Sequence, residues 1–101
     1  MASLFFMWFV YVLYSMSAQK SYVGYTNDIE RRIFEHNVSK IRGFTSRYRP
    51  WILIHTESYS DKGSAIAREK FLKTGRGREE IKLFISYYFN NGAVSAAAEK
   101  D

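Results

Sequence analysis

The spacing of apolar residues changes period along the chain, and each change predicts an element. Phe9 to Tyr14 is unbroken apolar sequence, rich in aromatic and β-branched residues, which suits a buried strand. The polar stretch SMSAQKS follows, then a short glycine-containing strand from Tyr22 to Tyr25. Strands this close in sequence pair as an antiparallel hairpin. After Thr26 the period lengthens to that of a helix. Asn27 is placed to cap it, Glu30 completes a capping box, and the helix reaches about Asn37. The segment VSKIRGFTSRYRP reads as a basic loop, and Trp51 to Glu57 alternates as a third strand. Ser60 or Asp61 caps a second helix that runs to about Lys73, where TGRG stops it. Arg78 to Phe89 forms a third, with Ile81, Phe84, Ile85 and Tyr88 on one face. The closing NNGAVSAAAEKD is small and polar, a tail expected to fray. The order β-β-α-β-α-α predicts an α+β domain: a small three-stranded, mainly antiparallel sheet flanked by helices. It spans residues 5–89, with a flexible tail over 90–101.

The opening MASLFFMWFVYVLYSMS admits a second reading. The uncharged run from Leu4 to Tyr14 is too short to cross a bilayer as a helix, but it suits the apolar region of a signal peptide. No Lys or Arg precedes it, and its end is β-branched and aromatic, so a strand is the expectation.

Charged residues fall where the pattern wants apolar ones. At about 100° per residue, with Ile29 at zero, Ile33 lies at about 40°, Arg32 at about −60° and His36 at about −20°. All four share one face. In the second helix Glu69 sits about 60° from Ile66, on the side of Ala65 and Leu72. Burying an unpaired guanidinium costs several kcal/mol, so these groups need partners. A buried Arg32–Glu69 ion pair would satisfy both. A polar pocket at the sheet edge, where Arg32, His36 and Glu69 meet a ligand, would also satisfy them. The pocket makes use of Tyr11 and Tyr22, which a hairpin can bring together on one face. Taken singly, each tyrosine fits a core role better than a catalytic one. Gly24, two residues after Tyr22, marks a close backbone approach or a bulge.

Composition narrows the field. The 101 residues fit one domain with a real core. The absence of cysteine excludes disulfides, a structural zinc site and a thiol nucleophile, and it fits a reducing, cytoplasmic compartment. A net charge of +5 points to an anionic partner such as nucleic acid, or to plain solubility charge. Candidate nucleic-acid-binding residues are Lys40, Arg42, Arg47 and Arg49 in the basic loop, and Lys73, Arg76 and Arg78 around TGRG.

Together these residues resemble a known family. FVYVLYS followed by YVGYTNDIERRIFEHN is similar to the paired motifs of the GIY-YIG nucleases. The likeness continues through RPWILIHTE and AIAREKFLK, covering about Val10 to Ile85. The first motif is Phe9-Val10-Tyr11, with Phe where the family has Gly, and the second is Tyr22-Val23-Gly24. The tyrosines are eleven positions apart, Arg32 follows ten later, His36 four after that, and Glu69 lies on a later helix. The small stand-alone bacterial members are the most similar. The resemblance implies a metal-dependent endonuclease that hydrolyses phosphodiesters in DNA. Tyr11, Tyr22, Arg32, His36 and Glu69 would be catalytic, with Glu69 holding one divalent ion, Mg²⁺ or Mn²⁺. Members often carry another base or donor in the loop region, for which Lys40 and Tyr48 are candidates.

One carboxylate holds Mg²⁺ only with help from waters and substrate phosphate, so a weak site that tightens on DNA is expected. Arg32 can pair with two phosphate oxygens in a way that Lys cannot mimic. Tyr11 is expected to contact the attacking water, supported by His36 or Tyr22. The alternative gives His36 the base role, since its ordinary pKa of about 6.5 suits neutral pH. Substrates selected by structure, such as branched or nicked DNA met in DNA repair, are expected rather than a specific sequence. No membrane partner is expected. A homodimer or a targeting partner would aid double-strand cutting, and Tyr87 and Phe89 are candidate exposed aromatics for such a contact. The rival readings are a nucleic-acid-binding domain of the same fold with little or no cutting, and a secreted or tethered basic protein.

Overall fold

The computed structural model describes residues 6–38 and 44–99; for residues 44 and 91–99 it describes the backbone alone. The elements are β1 (Trp8–Ser15), β2 (Lys20–Thr26), α1 (Ile29–Val38), α2 (Phe44–Arg47), β3 (Ile52–Tyr59), α3 (Lys62–Leu72) and α4 (Gly75–Glu99). This is the expected β-β-α-β-α-α order with one short extra helix, α2, in the basic loop. The sheet is antiparallel throughout, in the order β2-β1-β3.

The unbroken apolar run is the central strand. Val10, Tyr11, Val12 and Leu13 are each 1% exposed or less, because β1 is covered on both faces. Its alternate residues serve two layers. Val10 and Val12 join Val23, Ala65, Leu72 and Ile81 on the side of α3 and α4. Tyr11 and Leu13 join Trp51, with Ile33 and Tyr22 packed against them, on the side of α1. Among the described residues no helix is long and apolar enough to cross a membrane.

The register between β1 and β3 shifts after Val12, which opposes His55, while Leu13 opposes Leu53. The extra residue in β3 is Ile54, and the bulge lets Ile54 and His55 both serve the α4 side. Ile54 packs on the Val10–Val12 core, and the His55 ring stacks on Phe84 with centroids 3.6 Å apart.

Helix ends differ from expectation by a few residues, for visible reasons. Thr26 Oγ1 accepts from the Asp28 N–H at 3.0 Å, and the Asp28 carboxylate accepts from the Arg31 N–H at 3.1 Å. Asp28, rather than Asn27, therefore caps α1. Asp61 caps α3, accepting from the Ser64 N–H at 2.8 Å. The TGRG segment both ends α3 and starts α4. The Thr74 hydroxyl donates to the Phe71 carbonyl at 2.6 Å and accepts from the Gly77 N–H at 3.2 Å. With Thr74 as its cap, α4 begins at Gly75 instead of Arg78. A Cβ on Gly77 would collide with the backbone of Phe71 and Leu72, so the tight α3–α4 junction requires glycine there. The helical backbone runs on to Glu99, beyond Phe89 where the apolar spacing ends. Phe89 lies edge-on against Tyr14 at 5.6 Å and is not an exposed aromatic; Tyr87 is 69% exposed.

One polar network ties β3 to both helices on its face. Arg68 Nε and Nη2 donate to the two Glu57 oxygens at 2.8 and 3.0 Å, and Nη2 also donates to Glu80 at 2.8 Å. The Tyr59 hydroxyl donates to Glu57 at 2.6 Å, and His55 Nε2 lies 2.8 Å from the same carboxylate. Burial alone would raise the Glu57 pKa. Hydrogen bonds from Arg68, Tyr59 and His55 outweigh it and bring the group from 4.5 down to about 2. The unfolded chain therefore takes up this proton first as pH falls. The stabilisation is complete above about pH 4.5 and is lost toward about pH 2. We expect Glu57→Gln to cost on the order of 2–3 kcal/mol at neutral pH and to flatten the fall in Tm across that acid window. Thermal melts of the two proteins from pH 5 to 2 check this, and parallel curves would remove the network from the account.

Candidate active site

Register positions the tyrosines. Tyr11 opposes Gly24 and Leu13 opposes Tyr22, so Tyr11, Leu13 and Tyr22 point to the α1 side of the sheet, where Gly24 presents no side chain. A Cβ on Gly24 would run into the Tyr11 ring and hydroxyl. The glycine thus clears a path along which the Tyr11 ring lies over β2, the sheet's edge strand. The Tyr11 and Tyr22 ring centroids are 6.2 Å apart, and His36 packs against both, at 5.7 and 4.8 Å.

The α1 face delivers its polar residues inward, as the helical angles predict, but to different depths. His36 is 5% exposed, and its Nε2 lies 2.8 Å from the Tyr11 hydroxyl. The Arg32 side chain is 36% exposed, and its Nη1 donates to Glu35 at 2.8 Å. From α3, Glu69 Oε1 pairs with Lys73 Nζ at 2.5 Å. The Arg32–Glu69 ion pair is therefore not formed, since each charge has its own partner on its own helix.

These groups meet in a cleft of about 400 Å³ that wraps the β2 edge. Tyr11, Tyr22, Gly24, Arg31 and Arg32 line it from one side of the sheet, and Glu69 and Lys73 from the other. His36 does not line it. It sits behind Tyr11 and reaches the cleft through that hydroxyl.

Protonation follows from burial and neighbouring charge. Burial pushes the Tyr11 phenol up to about 12, against the opposing hydrogen bond and charge of Arg32. Burial, then the charge of Arg32, bring His36 down to about 4; Glu35 opposes this shift and Arg49 adds to it. For Arg32, burial is outweighed by hydrogen bonds to Glu35 and Tyr11, so its pKa is raised and it stays charged. At neutral pH both partners are neutral, a phenol and an imidazole sharing one hydrogen bond.

The basic candidates divide. Lys73 lines the cleft, while Arg76 and Arg78 are exposed in the first turn of α4. Arg47 is exposed at the end of α2. Arg49 Nε donates to the His36 carbonyl at 2.6 Å, closing the end of α1. Lys40 and Arg42 lie outside the described residues. Tyr48 packs edge-on against Trp51 at 6.5 Å, with Lys20 over its ring, and does not line the cleft. Sequence reasoning passed over Glu35, although its i,i+3 spacing from Arg32 signals the pair. It also passed over Asn37, whose side-chain amide brackets the Trp51 backbone with bonds of 2.7 and 3.1 Å. Nothing local in the sequence announces that contact.

Residues 7–82 match the GIY-YIG catalytic domain family. The chain belongs to the GIY-YIG family. It is 37% identical over 62 residues to a UPF0213 protein of Staphylococcus haemolyticus, covering 61% of this chain and 76% of the relative. It is also 37% identical over 73 residues to a UPF0213 protein of Natronomonas pharaonis, covering 71% and 85%. A UPF0213 protein of Bacillus halodurans, solved by solution NMR, is similar at a TM-score of 0.46 with 28% identity, over 74% of this chain and 81% of that one. In GIY-YIG terms, the glycine of the second motif is explained by the tyrosine of the first. Phe9, in place of the first motif's glycine, sits opposite Thr26 in the β1–β2 ladder.

Two outcomes test this packing. Gly24→Ala should destabilise by about 1–3 kcal/mol, and combining it with Tyr11→Leu should cost clearly less than the sum of the singles. Strict additivity in urea titrations would mean the two side chains do not compete for space. Because the His36 pKa drops from 6.5 to about 4 on folding, the unfolded state binds the proton first, and stability falls with pH through that window. Wild type should lose about 2 kcal/mol between pH 7 and 5, and His36→Gln should lose little of that. Urea titrations at the two pH values read this directly.

Proposed function

We propose that the protein is a divalent-metal-dependent endonuclease that hydrolyses phosphodiester bonds in DNA, selecting its substrate by structure. One observation carries this reading. Two tyrosines, an arginine and a confined carboxylate from four elements line a single solvent-reachable cleft. Family membership and the chain's positive charge support it.

A single Mg²⁺ or Mn²⁺ fits this donor set. Among the described residues no three of His, Cys, Asp or Glu are grouped so as to hold a metal ion by themselves. Glu69 would hold the ion by a hard oxygen donor, with water and substrate phosphate completing its shell. When bound, the ion supplies positive charge for the phosphate and the departing oxygen.

The remaining work belongs to the chain. Arg32 has five N–H donors; one goes to Glu35, which orients it, another is shared with Tyr11, and the rest suit phosphate oxygens and the charge that grows there. The Tyr11 oxygen accepts from the attacking water and passes its own proton toward His36 Nε2. A phosphate anion at Arg32 offsets the very charge that helps depress His36, so the substrate lowers the cost of that transfer. Lys73 meets the DNA backbone at the cleft, and Arg76 and Arg78 follow it beyond.

A second reading, a DNA-binding domain that cuts poorly, is favoured by the Lys73 ion pair that already neutralises Glu69. A Mg²⁺-dependent nicking assay on branched, nicked and linear DNA separates them. Glu69→Ala and Arg32→Ala should each lower cutting by about 10²–10³-fold. Tight binding without cutting supports the second reading, and cutting that survives both changes excludes this cleft.

A further inference from the structure

Glu69 and Lys73 are one helical turn apart, yet their freedom differs. The Glu69 side chain is 12% exposed and that of Lys73 is 55% exposed, so the carboxylate is confined while the ammonium is not. The Lys73 backbone is held at the end of α3. Its N–H donates to the Lys70 and Phe71 carbonyls, and its own carbonyl accepts from Arg78 Nε at 3.4 Å. Only the flexible stem is left to move.

Lys73 borders two hollows. One is the cleft it shares with Tyr11, Arg32 and Glu69. The other is a groove of about 410 Å³ between β2 and α4, where it joins Arg78 and Lys82. The two hollows also share Tyr22 and Val23, so they are neighbours along the β2 edge. Three cations around one groove suit a run of phosphates.

Resting on the proposed role of Glu69, we infer that Lys73 is a resident counter-ion which a bound phosphodiester draws off the carboxylate, coupling DNA binding to divalent-cation binding. An ammonium and a dication compete for the same oxygens. In the free protein the metal must displace Lys73 into water. With phosphates in the groove, Lys73 has an anionic partner there, and Glu69 is released. The coupling runs both ways, since a metal that displaces Lys73 also frees an ammonium for DNA. Lys73 is thus a positioning residue, acting on the chemistry through Glu69.

The test is Mn²⁺ binding to the full chain without DNA, read from the electron paramagnetic resonance of free Mn²⁺. Lys73→Met should bind Mn²⁺ about 10-fold more tightly than wild type, because the competing charge is gone. Lys73→Arg should stay near wild type, and Glu69→Gln should lose the site. In a Tyr11→Phe background, which spares the substrate, duplex DNA should tighten Mn²⁺ binding about 10-fold when Lys73 is present and under about twofold after Lys73→Met. Thermal melts confirm that each variant is folded. If Glu69→Gln abolishes binding but Lys73→Met is no tighter than wild type, the counter-ion role is overturned and the metal assignment stands. If Glu69→Gln binds Mn²⁺ like wild type, the metal assignment fails and this inference fails with it.

Discussion

A tyrosine in the middle strand of a covered sheet reaches a ligand only where the next strand gives up its side chain. That is the constraint on which this structure turns. Tyr11 belongs to β1, whose residues Val10 to Leu13 are shut away from water on both faces. Its ring can lie over β2 because residue 24 has no Cβ. Having crossed that gap, the hydroxyl meets His36 behind it and the cleft in front. The same packing that brings the ring to the wall of the cleft also holds its proton on, since burial raises the phenol and lowers the imidazole. The resting site is therefore neutral along this pair, and the charge in the cleft belongs to Arg31, Arg32, Glu69 and Lys73.

Two of these charges follow a common rule. The two charged side chains that line the cleft from α1 and α3 and were expected to meet are instead each paired within about one turn of their own helix: Arg32 with Glu35, and Glu69 with Lys73. Local pairs of this kind form without long-range order and bring little stability of their own when part-exposed. They leave the two charges available to exchange partners when an anion or a cation arrives. The Arg68 network contrasts with them. It draws Glu57 and Glu80 from different elements, satisfies Arg68 at several points, and spends its hydrogen bonds on holding β3 against α3 and α4. One set of charges is suited to function, the other to fixing the sheet that presents it.

Much of this was written in local pattern. The apolar run of β1, the alternation of β3 and the helical spacing of α1 and α3 reflect burial that each segment experiences along its own length. The inward placement of Arg32, His36 and Glu69 likewise follows from helix geometry alone, and the motif spacing identified the family. What local pattern could not decide was pairing across the fold. Whether Arg32 met Glu69 or Glu35, whether His36 faced the cleft or stood behind Tyr11, and whether Phe89 was exposed or rested on Tyr14 depended on how the layers stack. So did the bulge that turns Ile54 and His55 to one side, and the Asn37–Trp51 clasp. A residue's periodicity says which face it occupies. Only the packed neighbours, drawn from distant parts of the chain, decide what it touches and therefore what charge and proton it carries.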